Sequence, residues 1–201
     1  MIKVGYIGCG KITDHHINCI KKIKNISVKA VCDLDYDKAQ SYGKKYNILA
    51  YENYHKMLQN NSTIDLVCIM TPSGMHYENT IDILKRYKKH IIVEKPTFLK
   101  ASQVKKAFKL AKKYKLKIFP VFQHRYNKSI QRLKKALKNN ELGKIRIANI
   151  RVRWCRPDRY YRLSKWRGTF SHDGGALSNQ GIHHIDLLRY LCGEVKDIFV
   201  M

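Results

Sequence analysis

The sequence has no apolar run near the roughly 18 consecutive residues that cross a bilayer as a helix. A membrane-spanning helix and a membrane partner are therefore not expected among its 201 residues. It also lacks a charged segment followed by an apolar stretch at its start. Met1-Ile2-Lys3-Val4-Gly5-Tyr6-Ile7-Gly8 reads instead as a strand entering a glycine turn, so no signal peptide is expected. None of the six cysteines forms a CxxC pair, and no Cys/His cluster has zinc spacing, so no metal site is expected. Cys32 and Cys68 lie in apolar runs, where a thiol acts as a small buried hydrophobe. Reduced thiols in a cytoplasmic protein are the simple expectation. Internal repeats and low-complexity linkers are absent as well.

Acidic residues are scarce. Asp and Glu number 15 against 40 Lys and Arg, a formal net charge of +25. Such a surplus raises the question of nucleic acid. Its distribution points elsewhere, because basic residues occur along the whole chain. They are densest over 101–150, where Lys105, Lys106, Lys109, Lys112 and Lys113 fall on an apparent helix face. A solvated lysine surface accounts for this pattern, and no specific nucleic-acid partner is expected. A general attraction for anionic substrates remains.

What is present is a core. Hydrophobic residues make up 44% of the chain, enough to exclude a disordered tail. Near-continuous apolar runs at 3–7, 28–32, 65–70, 90–93 and 117–122 predict parallel strands covered on both faces. Helical patterns lie between them, at 12–23, 37–46, 54–59, 76–87 and 102–114. The alternation predicts a doubly wound α/β sheet. After residue 122 the rhythm changes. A basic amphipathic helix at 128–138 precedes an alternating run, Ile145–Trp154, which predicts a strand with one covered face. Gly174-Gly175 then leads into a helix near 176–191, and Val195–Val200 reads as a strand. Two domains are expected, 1–122 and 123–201. The C-terminal one reads as unfinished, with an open sheet edge, so truncation is expected.

Gly8-Cys9-Gly10-Lys11-Ile12-Thr13 follows the first strand and opens the first helix. Glycines at such a turn let the backbone approach a pyrophosphate, and the helix N-terminus supplies N–H groups and a positive dipole. Thr13 stands where a third glycine would be usual. Asp33, at the end of the second strand, is placed to accept hydrogen bonds from a ribose 2′-OH. A carboxylate there repels a 2′-phosphate, which favours NAD over NADP. The alternatives are that Asp33 merely caps the next helix, or that Asp35 shares or takes its role. Thr71-Pro72-Ser73 with His76 follows the fourth strand, and Glu94-Lys95-Pro96 follows the fifth. Both loops fall at the carboxyl edge of the sheet, where ligands of such folds bind. Ser73 as a helix cap is the bland reading of the first loop. Lys95 beside a substrate hydroxyl would stabilise a developing alkoxide.

Together these motifs resemble the Gfo/Idh/MocA oxidoreductases, which act on sugars, inositols and nucleotide sugars with NAD(P). The likeness spans essentially the whole chain. The run Gln123-His124-Arg125-Tyr126-Asn127 resembles the family's junction between domains. Gly174-Gly175-Ala176-Leu177 and Gly181-Ile182-His183-His184-Ile185-Asp186 resemble the start of its substrate helix. The resemblance implies a doubly wound parallel Rossmann sheet, followed by the start of an α+β domain with a large open, mostly antiparallel sheet. That sheet commonly forms a homo-oligomer interface, so a dimer or tetramer is implied where it is complete.

The resemblance also implies roles for particular residues. The cofactor is expected against Gly8, Gly10, Lys11, Ile12 and Asp33 on one side. Thr71, Pro72, Ser73, His76, Glu94, Lys95 and Gln123 are expected on the other. Lys95 carries the family's catalytic or substrate-orienting lysine. The family's Asp-x-x-x-His pattern falls on Asn179 and His183, four residues apart and on one helix face. Asparagine cannot take up a proton, so the base role falls to His183, with Asp186 able to orient its ring. Arg153, Arg156, Tyr161 and Trp166 supply guanidinium and aromatic groups for an anionic sugar substrate.

The segments Trp166–Phe170 and Asn179–His183 resemble nucleotide-sugar dehydrogenases of this family. Those acting on UDP-N-acetylglucosamine uronate at C3 are the specific candidate this likeness offers, which implies surface polysaccharide assembly. The alternatives are an inositol or other polyol dehydrogenase, an NAD-dependent glycosidase on the same fold, or an inactive or sensor-type NAD-binding fragment.

Overall fold

The computed structural model describes residues 1–200. The chain divides into two compact units, Met1–Val121 and Phe122 onward. The first unit is built on six parallel strands: β1 (Ile2–Ile7), β2 (Ile26–Cys32), β3 (Leu49–Tyr51), β4 (Leu66–Ile69), β5 (His90–Val93) and β6 (Ile118–Pro120). Their order across the sheet is β3-β2-β1-β4-β5-β6. The five expected strands are all present, within a few residues of their expected ends. β3 is an addition. It has only three residues, half-exposed, and too little apolar sequence to announce itself.

The continuous apolar runs are explained by burial on both faces. Along β4, Val67 and Ile69 enter one core while Cys68 and Met70 enter the other. The first core also takes Met57 and Leu58 of α3 (Tyr54–Asn60) and Ala107 and Ala111 of α5 (Ala101–Lys113). The other core takes Ile17 of α1 (Lys11–Ile20) and Ala39 and Tyr46 of α2 (Tyr36–Tyr46). Helix ends follow local chemistry. Asp35 caps α2 by accepting from the Lys38 N–H, Asp37 sits in its first turn, and Lys44 and Lys45 complement its C-terminal dipole. The helix expected at 76–87 is α4 (His76–Asp82) continued by a π-helical turn, Ile83–Tyr87, which places Ile83 and Leu84 in the first core.

The second unit is helical among the described residues. A 3₁₀ turn (Gln123–Tyr126) leads into α6 (Lys128–Lys138). Two short helices follow, α7 (Asp158–Arg162) and α8 (Phe170–Asp173), neither foreseen. A π-helical turn (Leu177–Gly181) continues as α9 (Ile182–Cys192) in place of the single helix expected at 176–191. The strands expected at 145–154 and 195–200 are not formed. A strand exists through a ladder of hydrogen bonds to a neighbour, and no described segment pairs with either. Ile147, at 87% exposure, shows that the apolar side of the first run is uncovered. No helix among the described residues is long and apolar enough to cross a membrane.

The double-sided core makes a specific demand on β4. Ile69→Ala removes a fully buried side chain and should destabilise the first unit by about 2–4 kcal/mol. Leu34→Ala alters a side chain that is 82% exposed and should stay within about 0.5 kcal/mol of the parent. Urea unfolding followed by circular dichroism measures both.

Candidate functional site

Neighbouring β1 and β4 feed helices on opposite faces of the sheet. α1 packs on the second core, and the helical segment after β4 packs on the first. The loops after β1 and β4 therefore diverge and open a crevice at the carboxyl edge. Gly8 lies at that point with φ of +96°, and a Cβ there would stand 2.8 Å from the Met70 carbonyl oxygen. Only glycine fits both the dihedral and the contact. Gly10 is different. Its φ is −91°, and a Cβ built on it meets nothing within 4 Å. Gly10 stands as the N-cap of α1 with no side chain capping the helix. An open backbone before an uncapped helix N-terminus fits the pyrophosphate of a dinucleotide.

The turn is braced from three sides. Thr13, fully buried, donates its hydroxyl to the Gly8 carbonyl at 2.7 Å, so the residue in the third-glycine position closes the loop. Tyr42 of α2 donates to the Gly10 carbonyl at 2.9 Å. Asp33 accepts from the Cys9 N–H at 2.8 Å and from the Asp35 N–H at 2.9 Å. Asp35 is the cap of α2, so the carboxylate of Asp33 is directed at the glycine turn instead. A carboxylate has about four acceptor positions, which leaves Asp33 capacity for ribose hydroxyls. Burial, aided by the nearby Asp33 charge, pushes the Cys9 thiol up to about 12, so it stays protonated and unreactive.

Across the crevice, Thr71-Pro72-Ser73 leads into a 3₁₀ turn, Ser73–Met75. Pro72, not Ser73, stands at its N-cap, and Ser73 is buried. The imidazole of His76 is buried between two carbonyls, with Nδ1 2.8 Å from Pro96 O and Nε2 2.9 Å from Thr71 O. Burial holds its pKa below the ordinary histidine value, against the pull of both carbonyls. His76 thus links the loop after β4 to the loop after β5. Glu94, also buried, lies 2.9 Å from His16 Nε2 through Oε1 and accepts the Lys95 N–H at 2.9 Å through Oε2. Burial alone would raise its pKa, but these two partners hold it below the ordinary glutamate value. His16 was not foreseen. Its one sequence signal is its spacing of three from Thr13 on α1.

In the second unit, His183 is buried on α9 with its ring stacked on His124, centroids 4.2 Å apart. Asn179, also buried, lies in the π-helical turn just before α9. Asp186, one turn after His183 on α9, is tied to Arg125. Its Oδ2 accepts from Arg125 Nε at 2.7 Å, and its Oδ1 accepts from Arg125 Nη2. The guanidinium engages both carboxylate oxygens at once. Arg156 stacks on Trp154 and Tyr160, 3.9 and 4.7 Å from the ring centroids. Arg167 stacks on Tyr160 and Trp166, at 4.4 and 5.0 Å. Gln180 accepts from Arg156 Nη2 and donates to the Tyr160 hydroxyl. Tyr161 packs edge-on against Tyr160, while Arg153 is exposed on the unpaired segment. Gln123 is exposed in its 3₁₀ turn. Asp173 was also missed. It is buried, and it accepts the Gly168 N–H at 2.8 Å.

Comparison with known proteins agrees with this geometry. Residues 2–122 match the Gfo/Idh/MocA oxidoreductase family model, described as an NAD-binding Rossmann fold, and residues 130–201 match a C-terminal domain of the same family. The chain belongs to the Gfo/Idh/MocA oxidoreductase family. It is 28% identical to the myo-inositol 2-dehydrogenase of Thermotoga maritima over 202 residues, which cover 98% of this chain and 57% of that protein. Among solved structures, it resembles the WlbA dehydrogenase of Chromobacterium violaceum in complex with NADH and UDP-GlcNAcA. That match has a TM-score of 0.90 and 33% identity, covering 96% of this chain and 55% of the other. The corresponding Bordetella pertussis complex gives a TM-score of 0.91 and 30% identity, covering 96% and 55%. The chain spans about half the length of the curated relatives it matches. Its first unit is thus an NAD-binding Rossmann domain of this family.

The two glycines should separate on substitution. Gly8→Ala forces a strained dihedral and a clash with Met70 and should destabilise the first unit by at least about 1–2 kcal/mol. Gly10→Ala should keep parental stability yet weaken NADH binding by on the order of tenfold, because its methyl occupies the pyrophosphate approach. Thermal unfolding and NADH fluorescence titration on both variants decide this.

Proposed function

We propose that this chain serves the NAD-dependent oxidation of a secondary hydroxyl on a nucleotide sugar, with UDP-N-acetylglucosamine uronate as the best match. The stack of Arg156 and Arg167 with Trp154, Tyr160 and Trp166 carries this reading. Two guanidiniums flanking one tyrosine ring repel each other unless an anion joins them. Their Nε atoms are buried and lack a hydrogen-bond partner among the described residues. Guanidinium forks match phosphate and carboxylate oxygens, and the aromatic faces match base and sugar rings. A neutral polyol offers neither charge, which sets inositol second despite the myo-inositol dehydrogenase relative. The WlbA enzymes similar to this chain were solved with UDP-GlcNAcA. A dehydrogenation of that kind belongs to polysaccharide assembly in the cytoplasm.

NAD, when bound, supplies the hydride acceptor. The chain supplies the rest. His183 takes the hydroxyl proton on its imidazole, a base suited to neutral pH. Lys95 stabilises negative charge developing on the oxygen. Asn179 hydrogen-bonds the substrate, since an amide cannot take up a proton.

NADH fluorescence with UDP-N-acetylglucosamine uronate, UDP-N-acetylglucosamine, myo-inositol and glucose 6-phosphate tests the reading. The uronate should be turned over in preference. Lys95→Ala and His183→Ala should each lose on the order of a hundredfold or more in kcat. Arg156→Ala should raise KM for the uronate about tenfold. A preference for myo-inositol, or full rates in both alanine variants, would overturn the assignment.

A further inference from the structure

The lysine after β5 emerges from a backbone that is held on both sides. The Lys95 N–H donates to Glu94 Oε2 at 2.9 Å, and the carbonyl of the following residue, Pro96, faces His76 Nδ1 at 2.8 Å. The carboxylate of Glu94 is itself held by His16 Nε2 at 2.9 Å, with side-chain exposures of 18% for His16 and 9% for Glu94. His16 belongs to α1, the helix that opens from the glycine turn. Its ring packs edge-on against the fully buried Tyr6 of β1, centroids 6.4 Å apart. An unbroken path of short polar contacts therefore runs from the cofactor helix through Glu94 to the main chain of Lys95.

We infer that His16 is a positioning residue for Lys95, acting through the Glu94 carboxylate. The physical reason is the cost of a buried, half-satisfied charge. With His16 in place, each oxygen of Glu94 has a partner, and the carboxylate stays where the Lys95 N–H can reach it. Without the imidazole, Oε1 loses its partner in a largely buried position. The carboxylate then turns toward water or takes up a proton, and the Lys95 amide loses its acceptor. Misplacement of a catalytic group by about 1 Å can cost on the order of a hundredfold in rate. The glycine turn has its own braces in Thr13, Tyr42 and Asp33, so loss of His16 should move the lysine and leave cofactor binding intact. The coupling is a statement about the backbone of Lys95. Its consequence for turnover rests on the role proposed for that side chain.

Three variants test the inference. His16→Leu removes the donor. His16→Asn stays polar but is too short to reach Glu94. His16→Gln places an amide nitrogen near the position of Nε2. Amide hydrogen exchange by NMR should show Lys95 exchanging at least about tenfold faster in the Leu and Asn variants. The amides of Val67 and Cys68 in β4 should not change, and the Gln variant should restore protection. NADH affinity should stay within about twofold in all three. In turnover assays, Leu and Asn should lower kcat about tenfold or more with KM for the alcohol unchanged, and Gln should recover most of it. Unchanged Lys95 exchange in both the Leu and Asn variants overturns the inference, whatever the activity. Faster exchange across β4 as well overturns it too, because the role of His16 is then general stability. Should Lys95→Ala retain full turnover, the catalytic assignment fails, while the exchange result still decides whether His16 holds the lysine backbone.

Discussion

The main chain of Gly8 lies so close to that of Met70 that no side chain fits between them. That approach joins the ends of β1 and β4 where the strand order reverses, and the candidate nucleotide site depends on it. One loop turns back over the second core and the other over the first, so the cleft between them follows from topology. The glycine turn, Asp33, the Thr71 loop and the Lys95 loop all reach this edge because each follows a parallel strand. Parallel strands end at the same side of a sheet, so residues scattered over about ninety positions of sequence converge without any local signal of contact.

Charge is met by carboxylates, amides and aromatic rings in both units. In the first, the buried carboxylate of Glu94 is tied to an imidazole and a backbone amide. The half-buried Asp14, held below the ordinary aspartate range by the Tyr46 hydroxyl and then by Lys45, ties α1 to α2. In the second, three arginines lie over aromatic rings. Arg125 is held by Asp186, which raises its already high pKa, and lies over Phe122 and Tyr190. Arg156 and Arg167 have aromatic faces and, among the described residues, no carboxylate partner. Aromatic stacking stabilises a guanidinium without neutralising it. The surplus of positive charge is therefore retained near the aromatic stack, where it suits an anionic ligand.

The first unit was largely legible because burial on both faces of a parallel sheet writes itself as continuous apolar runs. Five of its strands were read that way, and the glycine turn from its spacing between the first strand and the first helix. β3 was not, being three residues long. The second unit was less legible. The alternation from Ile145 to Trp154 marks an apolar side truly enough, but a side that needs cover does not create its own partner strand. The partner Arg125 of Asp186 was not legible. Helical spacing says which residues share a face, and it says nothing about an arginine arriving from sixty residues earlier.

By itself the sequence determined the order of the elements, the two faces of the sheet, and the demand for glycine at position 8. All of these follow from local sterics and from the periodicity of apolar side chains. Tertiary structure alone decided the pairing of buried polar groups: His16 with Glu94, His76 between two carbonyls, Arg125 with Asp186, and Thr13 closing the glycine turn. A buried polar atom must find a partner in a low-dielectric interior, and which partner it finds depends on distances that no sequence spacing contains.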